Sequence, residues 1–201
     1  MSYGAITRAT VAHDYHDQAM DALKQFKEIS LANGSQGVRQ GRIMTGSNIG
    51  RMAMIQQFDD MAQIDTTLEA LNGSAIAKQT RESGKFKLYG RGIVKNLLNF
   101  GSHGAAESKY IVLTIGTADD PAVDTISKFA DVLTSNGAVS GRYGTFVLGD
   151  RADGKTHLFG SSYPSLGAVQ SAYDAAADSG IAAELYKLVS VEKRQVIRLF
   201  N

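Results

Sequence analysis

The amino-acid sequence carries the same pattern twice, and this repeat constrains the fold more than any other feature. Toward the start of each half, residues of matching type lie 103 positions apart: Asp21 and Asp124, Leu23 and Ile126, Phe26 and Phe129, Asn33-Gly34 and Asn136-Gly137. Toward the end of each half the separation is 105 positions: Phe58 and Tyr163, Met61 and Leu166, Ile64 and Val169, Leu68 and Tyr173, Ile76 and Ile181. Two extra residues in a loop around Gly149–Gly154 account for the change. A repeat at fixed separation indicates a duplicated structural unit, so we predict two packed units of roughly 95 residues each.

Each half is predicted to run strand, helix, strand, strand, helix, strand. In the first half, a helix of about 18 residues is indicated by apolar residues that recur every three or four positions. These residues are Ala19, Met20, Leu23, Phe26 and Ile29. Asn33-Gly34 is typical of a helix end, and the turn Thr45–Gly50 indicates a hairpin. This order of elements is the ferredoxin-like plan, a four-stranded antiparallel sheet with helices on one face.

The strands of both halves include segments that are apolar on both faces. Tyr110–Ile115 and Met52–Ile55 are examples, and strands buried on both sides read as nearly continuous apolar runs. The face without helices is therefore expected to be covered by the sheet of the other half. We predict an α+β fold in which two tandem ferredoxin-like βαββαβ units pack their antiparallel sheets face to face as an intramolecular barrel, with helices outside. The first unit is expected at residues 1–97, a linker at 98–108 and the second unit at 109–201.

The segment from Gly50 to Ala62 resembles part of a known superfamily. It holds a glycine-led strand that ends at the aromatic residue Phe58, followed by the capping pair Asp59-Asp60 and the start of a helix. It is similar to the third strand and second helix of dimeric α+β barrel proteins, which include antibiotic-biosynthesis-type monooxygenases, stress-responsive and NIPSNAP-like barrel proteins and, more distantly, haem-binding chlorite dismutases. Asn72–Ile76 and Asp178–Ile181 resemble the short break near the end of the second helix in these proteins. The resemblance covers nearly the whole chain and implies a tandem fusion that folds as its own pseudo-dimer. It implies no catalytic residue, because the tryptophan used by some cofactor-independent monooxygenases has no counterpart in a chain without Trp.

Composition argues against several classes of function. The net charge is +1, from 21 basic and 20 acidic residues, whereas nucleic-acid binding usually needs a basic surplus. No apolar run approaches the roughly 20 residues of a membrane span, and Met1–Gly4 lacks the start of a signal peptide. The absence of Cys removes disulfides and thiolate metal sites. We therefore expect a cytoplasmic protein that binds neither nucleic acid nor membrane, either as a monomeric pseudo-dimer or as a homodimer.

Three histidines are candidates for chemistry. His13 and His16 flank Asp14 where the first strand gives way to the first helix, and this group could bind a metal or cap the helix. The equivalent segment of the second half, Gly116–Asp119, has no His, so we prefer the capping interpretation and predict no metal site. His157 lies within a strand. If it faces an internal cavity it could act as a general base or as an axial haem ligand; otherwise it is a hydrogen-bonded core residue.

Arg39 and Arg142 occupy equivalent positions in the two halves, 103 residues apart. If both point inward, they form a pair suited to an acidic ligand, because a buried guanidinium needs an anionic partner. If both point outward, they are ordinary solubilising residues, and this is the orientation we expect. Tyr110 and Tyr143 could line a pocket for an apolar or aromatic molecule, although aromatic strand residues more commonly pack in a core.

These features favour a ligand-binding or stress-related protein without a catalytic signature, with no cofactor and with a small apolar or acidic molecule as its ligand. The alternative is a cofactor-independent monooxygenase or isomerase that acts on an apolar or phenolic molecule in the barrel, with His157 or His16 as the catalytic residue. A haem protein that uses either histidine is the third hypothesis. The hypotheses differ in the interior they require, because an enzyme needs a hollow pocket with convergent polar groups, whereas a structural protein has a filled barrel.

Overall fold

Eight strands close into a barrel in the computed structural model, which describes residues 2–102 and 108–200. The elements of the first half are β1 (Tyr3–Val11), α1 (His16–Ala32), β2 (Gly37–Ile43), β3 (Met52–Phe58), α2 (Met61–Gly73), α3 (Ala75–Ser83) and β4 (Phe86–Gly101). The elements of the second half are β5 (Tyr110–Thr117), α4 (Val123–Ser135), β6 (Ser140–Leu148), β7 (Thr156–Tyr163), α5 (Leu166–Asp178), α6 (Ile181–Leu188) and β8 (Ser190–Leu199). A single 3-10 turn, His13–Tyr15, precedes α1.

The order of strands around the barrel is β1-β3-β2-β8-β5-β7-β6-β4. All neighbours are antiparallel. Equivalent strands of the two halves therefore stand on opposite sides of the ring and run in the same direction, so a pseudo-twofold rotation about the barrel axis relates the halves. Two seams, β2 with β8 and β4 with β6, join them. The predicted fold, two tandem ferredoxin-like units whose sheets form an intramolecular barrel, is confirmed.

The second helix of each half begins where the sequence places a capping side chain. Asp60 accepts a hydrogen bond from the backbone N–H of Gln63 at the start of α2, and Ser165 accepts one from Ala168 at the start of α5. These bonds satisfy N–H groups that have no partner within the helix. Ser74 caps α3 in the same way, so the predicted break of the second helix falls between α2 and α3, and its counterpart falls between α5 and α6.

Alternate residues of each strand face either the barrel interior or the helices. On β2, Val38 packs against residues of α1 and α2. Gln40 also faces the helices, because its Nε2 donates to the carbonyl oxygen of Leu23 in α1 at 2.6 Å. Arg39 and Gly41, which alternate with these residues, therefore face the barrel interior. The register of each strand thus decides which side chains reach the interior.

β4 runs from Phe86 to Gly101 and so continues past residue 97, the predicted end of the first unit. The added part is ordered as strand because it pairs with β6 of the other half. Residues 98–101 of the predicted linker are therefore part of the barrel, and residues 103–107, which include His103, lie outside the described residues. Of the helices that the structure describes, none is long and apolar enough to cross a membrane.

Candidate functional site

Two cavities of similar size lie on opposite faces of the sheet. The barrel cavity, of about 390 Å³, lies inside the barrel at the end where β2 and β6 begin. The first-half cavity, of about 410 Å³, lies between the outer face of the first-half sheet and helices α1–α3. Both volumes fall within the range of small-molecule sites, roughly 300–1,000 Å³.

The barrel cavity combines apolar walls with polar groups. Its main apolar side chains are Ile6, Ile55, Val94, Ile111, Leu113 and Leu158. Its polar side chains include Gln36, Gln57, Asn96, Ser140 and Ser162, together with Arg39 and Arg142. The hydroxyl groups of Ser140 and Ser162 lie 2.8 Å apart and bond to each other. The two arginines are the charged groups of this lining.

Arg39 and Arg142 both line the barrel cavity, so the expected outward orientation is wrong. The expectation treated an arginine on a strand as a solubilising residue, but Gln40 faces α1 and its neighbour Arg39 must then face the interior. β2 and β6 stand opposite each other in the ring. The pseudo-twofold rotation therefore places the two arginines on facing walls at the same level of the barrel.

The two guanidiniums are half-buried and repel each other. Burial lowers the pKa of both Arg39 and Arg142, and the charge of Arg39 lowers the pKa of Arg142 further. Arginine stays protonated in spite of such shifts. Within residues 2–102 and 108–200, no carboxylate lies within 4.0 Å of either guanidinium. The barrel cavity therefore presents two positive charges to any molecule that enters it.

The opposite end of the barrel is filled. Arg8, Phe146, Lys193 and Gln195 pack there and leave a space of about 30 Å³. The pseudo-twofold symmetry is broken at this end, since Arg8 and Lys193 come from non-equivalent strands, β1 and β8. The free volume of the barrel is thus concentrated at the end that carries Arg39 and Arg142.

The lining of the first-half cavity is largely apolar. Its main apolar side chains are Leu23, Phe26, Met52, Met54, Leu71, Ala77 and Phe86. Arg91, half-buried on β4, donates from Nε to Thr7 Oγ1 at 2.8 Å, and Arg81 and Lys87 contribute exposed polar groups. Among the described residues that line the cavity, none is His, Asp, Glu or Tyr. The cavity suits a neutral apolar molecule, and apart from the exposed Lys87 its described lining holds no group that ordinarily acts as an acid or base.

The equivalent layer of the second half is packed. Phe129 and Phe159 lie 5.5 Å apart, Phe100 stacks on Phe159 at 5.3 Å, and the remaining space is about 30 Å³. Several equivalent positions differ in side-chain size: Met54 and Phe159, Thr80 and Leu185, Gly84 and Val189. The sequence patterns did not lead us to predict the first-half cavity, and this size difference between duplicated positions is the signal that could have revealed it.

His157 lies on the helix-facing side of β7 and does not line the barrel cavity. Its side chain is 2% exposed, and its Nδ1 lies 2.9 Å from Thr145 Oγ1. The ring of Tyr143 is 5.5 Å away. The space beside it, about 30 Å³, is too small for a haem or for a substrate. His157 is placed as a hydrogen-bonded core residue, and the packing gives no support to a catalytic or haem-binding role.

Burial lowers the pKa of His157, so stability is expected to depend on pH. In the unfolded chain a histidine takes up a proton as the pH falls below about 6.5, whereas folded His157 stays neutral until a lower pH. The unfolded state therefore binds more protons between these two pKa values, and the free energy of unfolding falls as the pH decreases through this window. We expect a lower urea midpoint at about pH 5.5 than at about pH 7.5.

The H157Q variant is the control for this expectation, because it keeps a polar group beside Thr145 that does not titrate. Its urea midpoint should change less between the two pH values. Hydrogen bonds from lysines lower the pKa values of Asp14 and Asp119. The stability that these two carboxylates contribute is lost only below about pH 4, outside the range compared. An equal pH dependence of the wild type and H157Q would contradict the expectation.

The other predicted site residues do not line either cavity. The Tyr143 hydroxyl donates to the carbonyl oxygen of Pro121 at 2.6 Å, and burial raises its pKa. Tyr110 is half-buried at the start of β5, His13 is exposed and His16 is half-buried. In the part of the chain that the structure describes, no three His, Asp or Glu side chains come together in a way that could hold a metal ion. Of the predicted site residues, the structure brings Arg39 and Arg142 together around one space.

Comparison with protein families gives one match. The model of a family described as a domain of unknown function, DUF6854, matches residues 2–96 and 108–199. These ranges cover nearly all of both halves. No curated protein matches the chain.

Solved structures align with the whole chain at low sequence identity. A candidate monooxygenase of Fusobacterium nucleatum superposes with a TM-score of 0.71 at 10% identity, over 100% of this chain and 93% of its own. A candidate monooxygenase of Lactobacillus acidophilus superposes with a TM-score of 0.62 at 14% identity, over 99% of this chain and 93% of its own. A chlorite dismutase variant of Candidatus Nitrospira defluvii superposes with a TM-score of 0.63 at 8% identity, over 100% of this chain and 91% of its own. At such identities the likeness shows the fold alone, and this fold is the one that the resemblance to dimeric α+β barrel proteins implies.

Proposed function

We propose that this protein, which belongs to the DUF6854 family, binds a small apolar molecule in the first-half cavity. The observation that carries the proposal is the difference between the halves, because the same layer has about 410 Å³ of free volume in the first half and about 30 Å³ in the second. Protein interiors are normally close-packed, and an unfilled apolar layer costs stability. In the second half, side chains fill the equivalent layer. A bound ligand that fills this layer in the first half explains why the cavity is retained there.

The lining supports an aromatic or bulky aliphatic ligand. The rings of Phe26 and Phe86 meet edge to face, with centroids 6.1 Å apart, and offer further ring contacts of this kind. Met52 and Met54 also line the cavity, and methionine side chains adapt readily to the shape of a bound molecule. The ligand of this cavity is therefore a neutral molecule with an apolar ring system.

We favour a binding role for this cavity over a catalytic role. A cofactor-independent monooxygenase or isomerase that acts on a phenolic molecule needs a group that accepts its proton, and the described lining holds no carboxylate, imidazole or phenol. Arg91 could orient a polar substituent at the margin of the cavity, but its Nε is already bonded to Thr7. Thus, in the described lining of this cavity, no side chain specifically supports the oxygenase activity that the fold likeness suggests.

The proposal predicts that Ala77→Leu blocks the binding of a neutral apolar probe. N-phenyl-1-naphthylamine becomes more fluorescent in apolar surroundings, and the chain has no Trp to contribute background emission. We expect saturable binding of one probe by the wild type. Because Ala77 on α3 lines the cavity, leucine should occupy its volume and weaken the probe about tenfold or more, equivalent to about 1.4 kcal/mol.

Ala182→Leu is the matched control, since Ala182 is the equivalent residue of α6. The two alanines are similarly buried, at 8% and 9% exposure, but Ala182 belongs to a filled core. Overpacking should lower the free energy of unfolding of A182L by about 1–3 kcal/mol and leave probe binding unchanged, whereas A77L should keep its stability. Equal probe affinity in wild type and A77L, or equal destabilisation of the two variants, would refute the proposal.

A further inference from the structure

We propose that the barrel cavity is a second ligand site, which takes an amphipathic monocarboxylate with its acid group between Arg39 and Arg142 and its apolar body along the barrel. The site lies on the other face of the sheet from the first-half cavity and does not rest on the function proposed for that cavity. Each half contributes one of the two arginines, so the site exists only in the joined barrel.

The charge arrangement calls for an anion. The facing guanidiniums of Arg39 and Arg142 are half-buried, each repels the other, and within residues 2–102 and 108–200 neither has a carboxylate within 4.0 Å. One carboxylate has two oxygens and can accept charge-assisted hydrogen bonds from both guanidiniums. Gln57, on the neighbouring strand β3, lines the same space, and its carboxamide oxygen is buried without a partner. Its amide can turn over to donate to the same acid group, because the two ends of a carboxamide are alike in shape.

The walls beside the arginines call for an apolar body on that anion. Ile55 is paired with Arg39 across β2 and β3, whereas the residue paired with Arg142 is Gly160. Gly160 contributes no side chain, and Leu113, its partner on β5, occupies the place beside it, with its Cδ2 3.1 Å from a Cβ built on the glycine. Leu158 also lines the cavity, two residues away from Gly160 on β7. An inorganic anion would neutralise the arginines but leave these apolar walls uncovered.

The closed end of the barrel limits the ligand to one acid group at one end. Arg8, Phe146, Lys193 and Gln195 fill the far end and leave about 30 Å³ there. The rest of the ligand therefore stays beside the apolar walls of the barrel cavity, where a second charged group has no charged partner. The volume of about 390 Å³ suits a medium-chain fatty acid or an aromatic carboxylic acid rather than a large lipid.

Decanoate tests the proposal by titration calorimetry of the whole protein, below its micellar concentration. We expect one decanoate to bind, and R39Q and R142Q each to weaken it roughly 10- to 100-fold through loss of a charge-assisted hydrogen bond. R198Q is the matched control, because Arg198 is exposed on β8 and its removal changes the net charge equally. R39Q and R142Q each remove the repulsion between the two guanidiniums and should fold. Because either variant removes one of the two arginines, one of them suffices for the test if the other does not fold.

Further titrations separate the acid site from the first-half cavity. A77L should bind decanoate as the wild type does, and 1-decanol, which has the same chain without the charge, should bind A77L at least about tenfold more weakly than decanoate does. Decanoate binding that survives in R39Q and R142Q, or that R198Q weakens equally, overturns the proposal. Loss of decanoate binding in A77L places the acid in the first-half cavity and also overturns it. Inorganic phosphate that binds as tightly as decanoate refutes the apolar part of the ligand.

Discussion

Gly41→Ala and Gly144→Ala are each expected to lower the free energy of unfolding by about 2–4 kcal/mol. The two glycines are equivalent positions of the duplicated unit, and each lies at one of the two seams. A Cβ added at Gly41 would lie 2.6 Å from Ile197 Cγ2 of β8, and one added at Gly144 would lie 2.7 Å from Val94 Cγ1 of β4, with a backbone carbonyl oxygen of the same strand closer still. Backbone cannot give way as a flexible side chain can, so alanine should force the strands apart and weaken the hydrogen bonds of the seam.

Urea unfolding followed by circular dichroism measures this effect. Gly37→Ala is the control on β2, because nothing lies within 4 Å of a Cβ built there, and its stability should stay within about 0.5 kcal/mol of the wild type. If G41A were as stable as G37A, the close approach of β2 and β8 would not be a requirement of the fold. G144A gives the same test at the other seam.

The two halves expressed as separate fragments, Met1–Phe100 and His103–Asn201, are expected to be poorly soluble alone and to re-associate when mixed. Separation removes both seams, so β2 and β4 of the first half and β6 and β8 of the second become open edges. Open edges favour aggregation, and each sheet would also expose its apolar interior face, which is larger than a soluble monomer usually tolerates. Co-refolding the fragments should restore a 1:1 complex with the circular dichroism spectrum of the intact protein.

A circular permutant provides the control for the fragments. The pseudo-twofold rotation relates Asn96 to Leu199 and Tyr110 to Tyr3, so a copy of residues 97–109, the segment that joins Asn96 to Tyr110, should connect Leu199 to Tyr3. A chain permuted in this way and opened within residues 103–107 keeps both seams and should fold as a soluble monomeric barrel. Two well-behaved monomeric fragments that do not associate would show that the halves are independent domains.

Much of the fold could be predicted because its determinants are local and occur twice. The apolar spacing of α1, the cap at Asp60 and the continuous apolar run of β5 are readable without knowledge of what each element contacts. Their recurrence in the second half supported each assignment. The seam between β4 and β6 was not predicted, because the pairing of Leu98–Gly101 with β6 connects segments far apart in the chain.

The candidate sites could be predicted only in part. The equivalence of Arg39 and Arg142 is visible in the sequence, but their direction depends on register, because a shift of one residue turns every side chain of a strand to the other face. On β2 the register is fixed where Gln40 meets the carbonyl of Leu23, a contact between separate elements. For the same reason His157 could not be assigned to one face of β7 in advance.

The sequence by itself determined the duplicated βαββαβ unit and the need to cover its open sheet face, since periodicity, capping and apolar runs act through neighbours along the chain. Only the tertiary structure decided where space remains. A cavity is the volume left over when side chains from distant elements meet, so Thr80 and Met54 leave the first half hollow while Leu185 and Phe159 close the second. Arg39 and Arg142 likewise face each other only because the barrel closes. Closure places β2 and β6, which do not pair with each other, on opposite walls of one cavity.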